Sequence, residues 1–376
     1  MNIFPWWYIF YNVIIWLICF VITQNASNKI LKTNQKKSGE KTNIIIVYLL
    51  FLMDALFIFY GGDNGRYEDV VVGAANFVSN DYENSYGLEK IYYYIARISA
   101  GSFIVWKILV YGGGLLLAYF TSLRLKSNNY LFLYAFVLFV LNEYGSSRVA
   151  FAIAIYLFGL SLIDKDNIKQ SLLGICVAAL SINAHSSMLM PVILIPALFV
   201  KITKTRFFIL LLLLPLLAMI ISSIPDYLVG SNTDLYESRV GYKWESYSET
   251  SGTTTRSSFL LFVYDICLYA CIYFFLLFSI KADNKHLLSF SQSVIVRVSF
   301  FIVYFSFAIL FSNIIIKDTL FYRYLQMIPG IMYVILPVLL TNNKNISPKS
   351  KEITEFLAIS LNILFLIRIA YYSASN

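Results

Sequence analysis

Two arginines, one histidine and a few carboxylates are the residues of this chain best suited to chemistry. Arg148 opens the run RVAFAIAIYLFGLSL after the polar turn NEYGSS, and Arg323 stands between Tyr322 and Tyr324 in FYRYLQ. A guanidinium stays charged at neutral pH, and its planar fork can bind two phosphate oxygens at once. His185, one of 2 histidines, stands in NAHSSMLMP. Its imidazole can take a proton from a hydroxyl near neutral pH; an aspartate or glutamate could do the same, or could orient the ring. Together these types suit recognition of pyrophosphate at a membrane interface and removal of a proton from a hydroxyl acceptor.

The elements that position them are membrane helices. In a chain of 376 residues, 59% are hydrophobic and 13% charged, and the mean hydropathy is +0.70. Apolar runs near the length needed to span a bilayer recur from end to end. The fold class expected is all-α, a polytopic integral membrane protein of about twelve transmembrane helices. The expected spans are 4–23, 43–60, 102–121, 129–142, 148–163, 168–183, 186–200, 206–224, 258–280, 294–313, 319–340 and 353–372. The first has no basic residue before it and lysines after it, the reverse of a secretory signal, and reads as a retained helix.

The net charge of +8 is scattered over short loops, which argues against nucleic acid and for the positive-inside bias. One alternating set of loops carries Lys29 to Lys41, Arg124, Lys126, Lys165, Lys169, Lys201 to Arg206, Lys281, Lys285 and Lys344 to Lys351. That set is expected to be cytoplasmic, with both termini outside. Two longer extracytoplasmic loops result, 61–101 and 225–257, within a single polytopic domain 1–376. The second is rich in aromatic and hydroxyl residues, including Tyr236, Tyr242, Trp244 and Tyr247. This topology gathers Asp63, Arg66, Glu143, Arg148, His185, Lys317, Asp318 and Arg323 near the outer ends of spans. Small residues after Arg148 (Ala150, Ala152, Ala154) would let neighbouring helices approach closely.

Charges within spans are costly, about 2.5–3.5 kcal/mol at a helix centre on insertion scales. Arg297 and Arg368 lie toward span ends and read as snorkelling anchors, and Lys107, near an outer end, either snorkels outward or serves a site. Asp265 is expected to pair with a basic residue of a neighbouring helix, and Asp54 either to pair or to serve a site. Cys19, Cys176, Cys267 and Cys271 lie inside apolar segments without accompanying histidines or carboxylates. They suit apolar filler, and neither a disulfide framework nor a metal site is expected.

Four motifs in order, GGDNGRYEDVV, RVAFAIAIYLFGLSL, NAHSSMLMPVILIP and FYRYLQ, resemble those of the EpsG-like, Wzy-type polysaccharide polymerases over roughly residues 40–340. The chain departs from that pattern at Val149, where many members have glutamine. The resemblance implies an enzyme at the outer face of the bacterial cytoplasmic membrane that joins lipid-linked repeat units of capsule, O-antigen or exopolysaccharide. Donor and acceptor would be glycans on undecaprenyl diphosphate, with no cofactor. A chain-length regulator and other assembly proteins would be possible partners. On that basis Arg148, Arg323 and His185 are the expected catalytic residues. Asp63, Arg66, Glu143, Trp244, Tyr322 and Tyr324 are expected to bind substrate. A lipid-linked oligosaccharide flippase would instead line a midplane cavity with charge and often show related halves. A membrane acyltransferase modifying surface polysaccharide could also use one histidine, but would need to reach a cytoplasmic acyl donor.

Overall fold

The computed structural model describes residues 89–125, 147–231 and 259–312, with isolated helical positions at Ile14, Glu68, 71–73, Phe356 and Ser360. The regular structure among these residues is entirely helical. In chain order the helices are α1 (Lys90–Ile98), α2 (Phe103–Lys107), a π-helical turn (Ile108–Gly112), α3 (Gly113–Arg124), α4 (Ser147–Leu162) and α5 (Ile168–Ala184). A broken segment follows, made of a 3-10 turn (Ser186–Met188), α6 (Leu189–Ile193) and a second 3-10 turn (Ile195–Phe199). The long helices α7 (Lys204–Ser231), α8 (Phe259–Asn284) and α9 (Phe290–Leu310) complete the order.

Three stretches of the described residues are long and apolar enough to cross a membrane: Phe103–Thr121, Lys204–Ser223 and Phe290–Leu310. The hairpin helices α4 and α5 have 16 and 17 residues. At about 1.5 Å per residue they fall short of a ~30 Å hydrocarbon core. The interior is mainly apolar, as in a soluble protein, but the outer surface of the helices is apolar too. Ser181, Ser299 and Ser306 are fully buried, while Leu212 is 80% exposed. Each of these serines donates to a carbonyl of its own helix, Ala178, Ile295 and Ile302 respectively. A hydroxyl so satisfied can sit in an apolar bundle.

Helix α4 is apolar all round and is buried from Val149 to Leu157, as expected of a helix at the centre of a bundle. It packs between α3, α5 and α9. Gly159 and Gly174 set the α4–α5 distance: a Cβ on Gly159 would lie 2.4 Å from Ala178 N and 2.7 Å from Gly174 O. This near backbone contact is the small-residue packing that membrane helices use, and the alanines after Arg148 (Ala150, Ala152 and Ala154) are each fully buried in the same helix.

The expected span 186–200 is not one helix. Pro191 and Pro196 each lack a backbone donor, and the segment breaks into three short turns around them. Met188, Pro191 and Ile195 face the bundle, while Leu189, Ile193 and Phe199 are exposed. Tyr156 Oη donates to Pro191 O at 2.7 Å and pins the segment to α4. Two other expectations shift at their edges. Helix α1 lies within the loop expected at 61–101, and α7 continues past Pro225 into the loop expected at 225–257.

The end of the bundle near Leu125 is stitched by side chains that reach the last carbonyls of neighbouring helices. Arg124 Nε donates to Ser161 O (3.2 Å), Gln170 Nε2 to Leu162 O (3.0 Å), Ser291 Oγ to Ile163 O (2.8 Å) and Gln292 Nε2 to Leu125 O (2.9 Å). Helix C-termini leave carbonyls without intrahelical partners, and these bonds satisfy them. At the same end Asn284 Nδ2 donates to Ile202 O (2.9 Å), so the broken segment connects the two ends of the bundle.

Arg297 is not a snorkelling anchor. Its Nε and Nη2 grip Asp283 Oδ2 and Oδ1 at 2.8 and 3.1 Å, tying α8 to α9 with both groups largely buried. Removing one partner of a buried pair strands the other charge, at a cost of about 3–5 kcal/mol. Arg297→Met should therefore lower the melting midpoint of the detergent-solubilised protein sharply. The double variant with Asp283→Leu should recover much of the loss. An unchanged midpoint in the single variant would contradict this account.

Candidate functional site

Arg148 lies in the first turn of α4, where no acidic residue accompanies it. A cation there opposes the helix dipole, so its position needs a compensating interaction. Glu89 supplies one: Arg148 Nη1 donates to Glu89 Oε2 at 2.9 Å, with the two side chains only 18% and 10% exposed. Glu89 is the N-cap residue of α1. The beginnings of two helices therefore meet at this ion pair, and both present positive dipole ends to it.

Aromatic residues hold that meeting point. Tyr92 Oη donates to Arg148 O at 3.2 Å, and Trp106 Nε1 donates to Tyr92 O at 3.4 Å. The Tyr92 ring lies 5.8 Å from Trp106 and 6.4 Å from Phe151, and Tyr92 and Trp106 are each 1% exposed. Helix α1 is oriented for this by a tight C-terminal turn. Gly101 N bonds Ala96 O and Ala100 N bonds Arg97 O, with Ala100 at φ 49° in the left-handed region.

Lys107 is not a snorkelling residue. It is 2% exposed, with Nζ 4.9 Å from the Phe103 ring centroid, a cation–π contact. The π turn begins at the next residue, a helical irregularity that recurs at functional sites.

His185 ends α5 in extended conformation (φ −160°, ψ 125°) and is 5% exposed. Ser187 Oγ lies 2.6 Å from its Nδ1, and the Ser187 backbone N–H points to the same nitrogen at 3.2 Å. A backbone N–H can only donate, so Nδ1 accepts and the neutral ring carries its proton on Nε2. In this form Nε2 is a hydrogen-bond donor. Acting as a base through Nε2 would first require moving the proton to Nδ1.

Because α4 and α5 form an antiparallel hairpin, the start of one and the end of the other bring Arg148 and His185 to the same end of the bundle. Asp63, Arg66, Glu143, Trp244, Tyr322, Arg323 and Tyr324 lie outside the described residues, as do Asp54 and Arg368. Val149, the departure from the expected motif, is buried in the core. Sequence reasoning missed Glu89 and Tyr92. Their signal is an acidic residue immediately before the amphipathic pattern KIYYYIARI, whose Tyr92, Tyr93 and Ala96 are buried. A carboxylate pair, Asp164 and Asp166, does occur with D-x-D spacing. It lies in the α4–α5 turn at the opposite end, where Asp164 Oδ1 accepts the Asp166 N–H.

Residues 41–376 match the family model described as the EpsG family. The chain belongs to the EpsG family. No curated protein and no solved structure matches it. Membership in the EpsG family, with long apolar helices, makes this a membrane protein of polysaccharide biosynthesis. The EpsG match includes both Arg148 and His185, as well as the candidate residues outside the described segments.

Proposed function

We propose that this EpsG-family chain is a polymerase that joins lipid-diphosphate-linked oligosaccharide repeat units at the outer face of the bacterial cytoplasmic membrane. The observation that carries the reading is the arginine held at the meeting of two helix beginnings, with a donor histidine at the same end of the hairpin. Such a place suits a diphosphate. The guanidinium fork, the first-turn N–H groups of α4 and the dipole ends all favour phosphate oxygens. The shortness of α4 and α5 favours a site near the membrane boundary, where a lipid-linked diphosphate resides.

In the reaction, a hydroxyl of the acceptor glycan attacks the anomeric carbon of the donor. The bond from that carbon to the diphosphate oxygen breaks, and the lipid diphosphate leaves with the electron pair. Arg148 stabilises the charge that grows on the leaving oxygen, with Arg323 as a second candidate. The hydroxyl proton passes to a base, for which Asp63 and Glu143 are candidates. His185 donates from Nε2 to a substrate oxygen and positions it. Trp244, Tyr322 and Tyr324 suit sugar faces and hydroxyls, and Arg66 suits a second phosphate contact.

A deletion strain tests the reading. It should accumulate single repeat units on the lipid carrier at the outer face, with no longer chains. Single units held inside would instead indicate a flippase, and full-length chains lacking only acyl groups would indicate an acyltransferase. The histidine role has its own test. His185→Gln keeps a donor near the Nε2 position and should retain measurable polymer. His185→Ala should lose about a hundredfold or more, in the range of a lost stabilising donor. Equal loss in the two variants at equal abundance would return His185 to the base role.

A further inference from the structure

Glu89 is positioned between two electrostatic demands. It stands at the N-cap of α1 with φ −71° and ψ 146°, the extended conformation from which a side chain can cap the first turn, yet its side chain makes no capping bond. Instead it reaches Arg148, 59 residues away, at 2.9 Å. Tyr92 N–H already bonds Glu89 O at 3.0 Å, and the N–H groups of Lys90 and Ile91 ahead of it, with the positive end of the α1 dipole, lie beside the carboxylate as a second seat. Tyr92 fixes the Arg148 backbone to α1, so the carboxylate can change seats without either helix moving.

We propose that Glu89 is the resting counter-ion of the diphosphate site: it holds the Arg148 guanidinium in place while the site is empty, and an entering lipid diphosphate displaces it to cap α1. This inference rests on the reading of Arg148 as a diphosphate ligand. The physical reason is charge. A half-buried arginine carries a desolvation cost, which the Glu89 carboxylate helps to offset, whereas a diphosphate brings more negative charge and two acceptors for the fork. Glu89 could not remain in contact once the phosphate arrives, because like charges at that distance repel. The N-cap seat lowers the cost of displacement. Glu89 is thus a positioning residue whose competition also favours product release, since it can retake Arg148 as the lipid diphosphate departs.

The test uses the purified full-length protein in detergent, with farnesyl diphosphate as one probe and inorganic diphosphate as the other. Glu89→Gln retains an acceptor for Arg148 but removes the competing charge, so it should bind farnesyl diphosphate about tenfold more tightly than wild type. Adding Arg148→Gln to that variant should abolish the gain. Inorganic diphosphate showing the same ratio assigns the effect to the phosphates, and a gain with farnesyl diphosphate alone overturns the charge-exchange account. Unchanged or weaker binding by Glu89→Gln, with its melting midpoint preserved, also overturns it. Should that variant not fold, the wild type supplies the answer: farnesyl diphosphate should slow amide exchange in the peptide covering Lys90 to Tyr93 as Glu89 caps α1. Unaltered exchange there rejects the displacement. Both measurements read binding alone. Full-length glycan in the deletion strain would therefore refute the polymerase reading while leaving the binding result standing. Single repeats in that strain with no binding change would refute only the role of Glu89.

Discussion

Arg148→Ala should abolish glycan chains longer than one repeat, a loss of about a hundredfold or more in polymer formed, while single repeats on lipid carrier persist. The expectation follows from what the guanidinium touches and from the diphosphate it is proposed to receive. Its Nη1 holds Glu89 at 2.9 Å, and alanine would leave that carboxylate only 10% exposed and without this partner. Some destabilisation should therefore accompany the loss of chemistry, which is why abundance must be measured beside the ladder. Arg148→Lys separates the two effects. The ammonium keeps the charge and can still satisfy Glu89, but it has no planar fork for two phosphate oxygens. It should restore abundance while leaving polymer about tenfold below wild type. A lysine variant with wild-type chain lengths would show that only charge is needed. An alanine variant with wild-type chain lengths would remove Arg148 from the site.

Gly159→Ala should prevent accumulation of folded protein. Its new Cβ would lie 2.4 Å from Ala178 N, 2.8 Å from Ala178 Cα and 2.7 Å from Gly174 O, all backbone atoms of α5. A side chain can rotate away from such a clash, but the backbone of a packed helix moves only if the whole helix moves. Relief therefore requires α4 and α5 to separate, with loss of contacts along the hairpin and a cost of about 3 kcal/mol or more. Gly174→Ala should behave alike, since its Cβ would meet Gly159 O at 2.7 Å. Gly113→Ala is the control: its nearest neighbour would be Phe151 Cε2 at 3.5 Å, an ordinary contact. Size-exclusion profiles of the detergent extracts report the outcome. A sharp wild-type peak from Gly159→Ala would mean the hairpin is looser than the structure requires. The consequence reaches the site as well, because this hairpin is what holds Arg148 and His185 at one end.

Much of the architecture is legible without coordinates because lipid imposes a simple rule on sequence. A segment that crosses must satisfy its backbone internally and offer apolar side chains outward. Hydropathy alone therefore places the helical stretches at 102–121, 148–163, 168–183, 206–224, 258–280 and 294–313 close to observed helices. The segment 186–200 shows the limit. Its hydropathy is that of a span, but two prolines prevent one continuous hydrogen-bonded helix. Helix α1 shows another limit: it is too short and too polar on one face to register as a span, yet it carries Glu89.

Charged residues divide in the same way. Residue type and topology marked Arg148 and His185 as candidates, because an arginine or histidine at a span end has few inexpensive explanations. Topology also placed them at one end, and the α4–α5 hairpin bears this out. The partner of each charge was invisible in one dimension. Glu89 meets Arg148 across 59 residues and Asp283 meets Arg297 across 14, and no periodicity relates those separations. Nor could residue type say which nitrogen of His185 holds the proton, since that depends on the Ser187 N–H beyond the helix end.

By itself, then, the sequence determined the class of the protein, most of its helical segments and two of the candidate side chains of its site. Those properties follow from side-chain solvation and local backbone preference. Only the tertiary structure decided that Arg148 rests on Glu89, that Lys107 and Arg297 are buried rather than extended to water, and that two glycines set the hairpin distance. These depend on which surfaces of distant helices come together, and an apolar membrane helix offers many nearly equivalent faces. The choice among them is made by a few contacts too specific for hydropathy to register: the near backbone contact of α4 with α5, the Arg148–Glu89 and Arg297–Asp283 ion pairs, and the hydroxyls of Tyr92 and Tyr156.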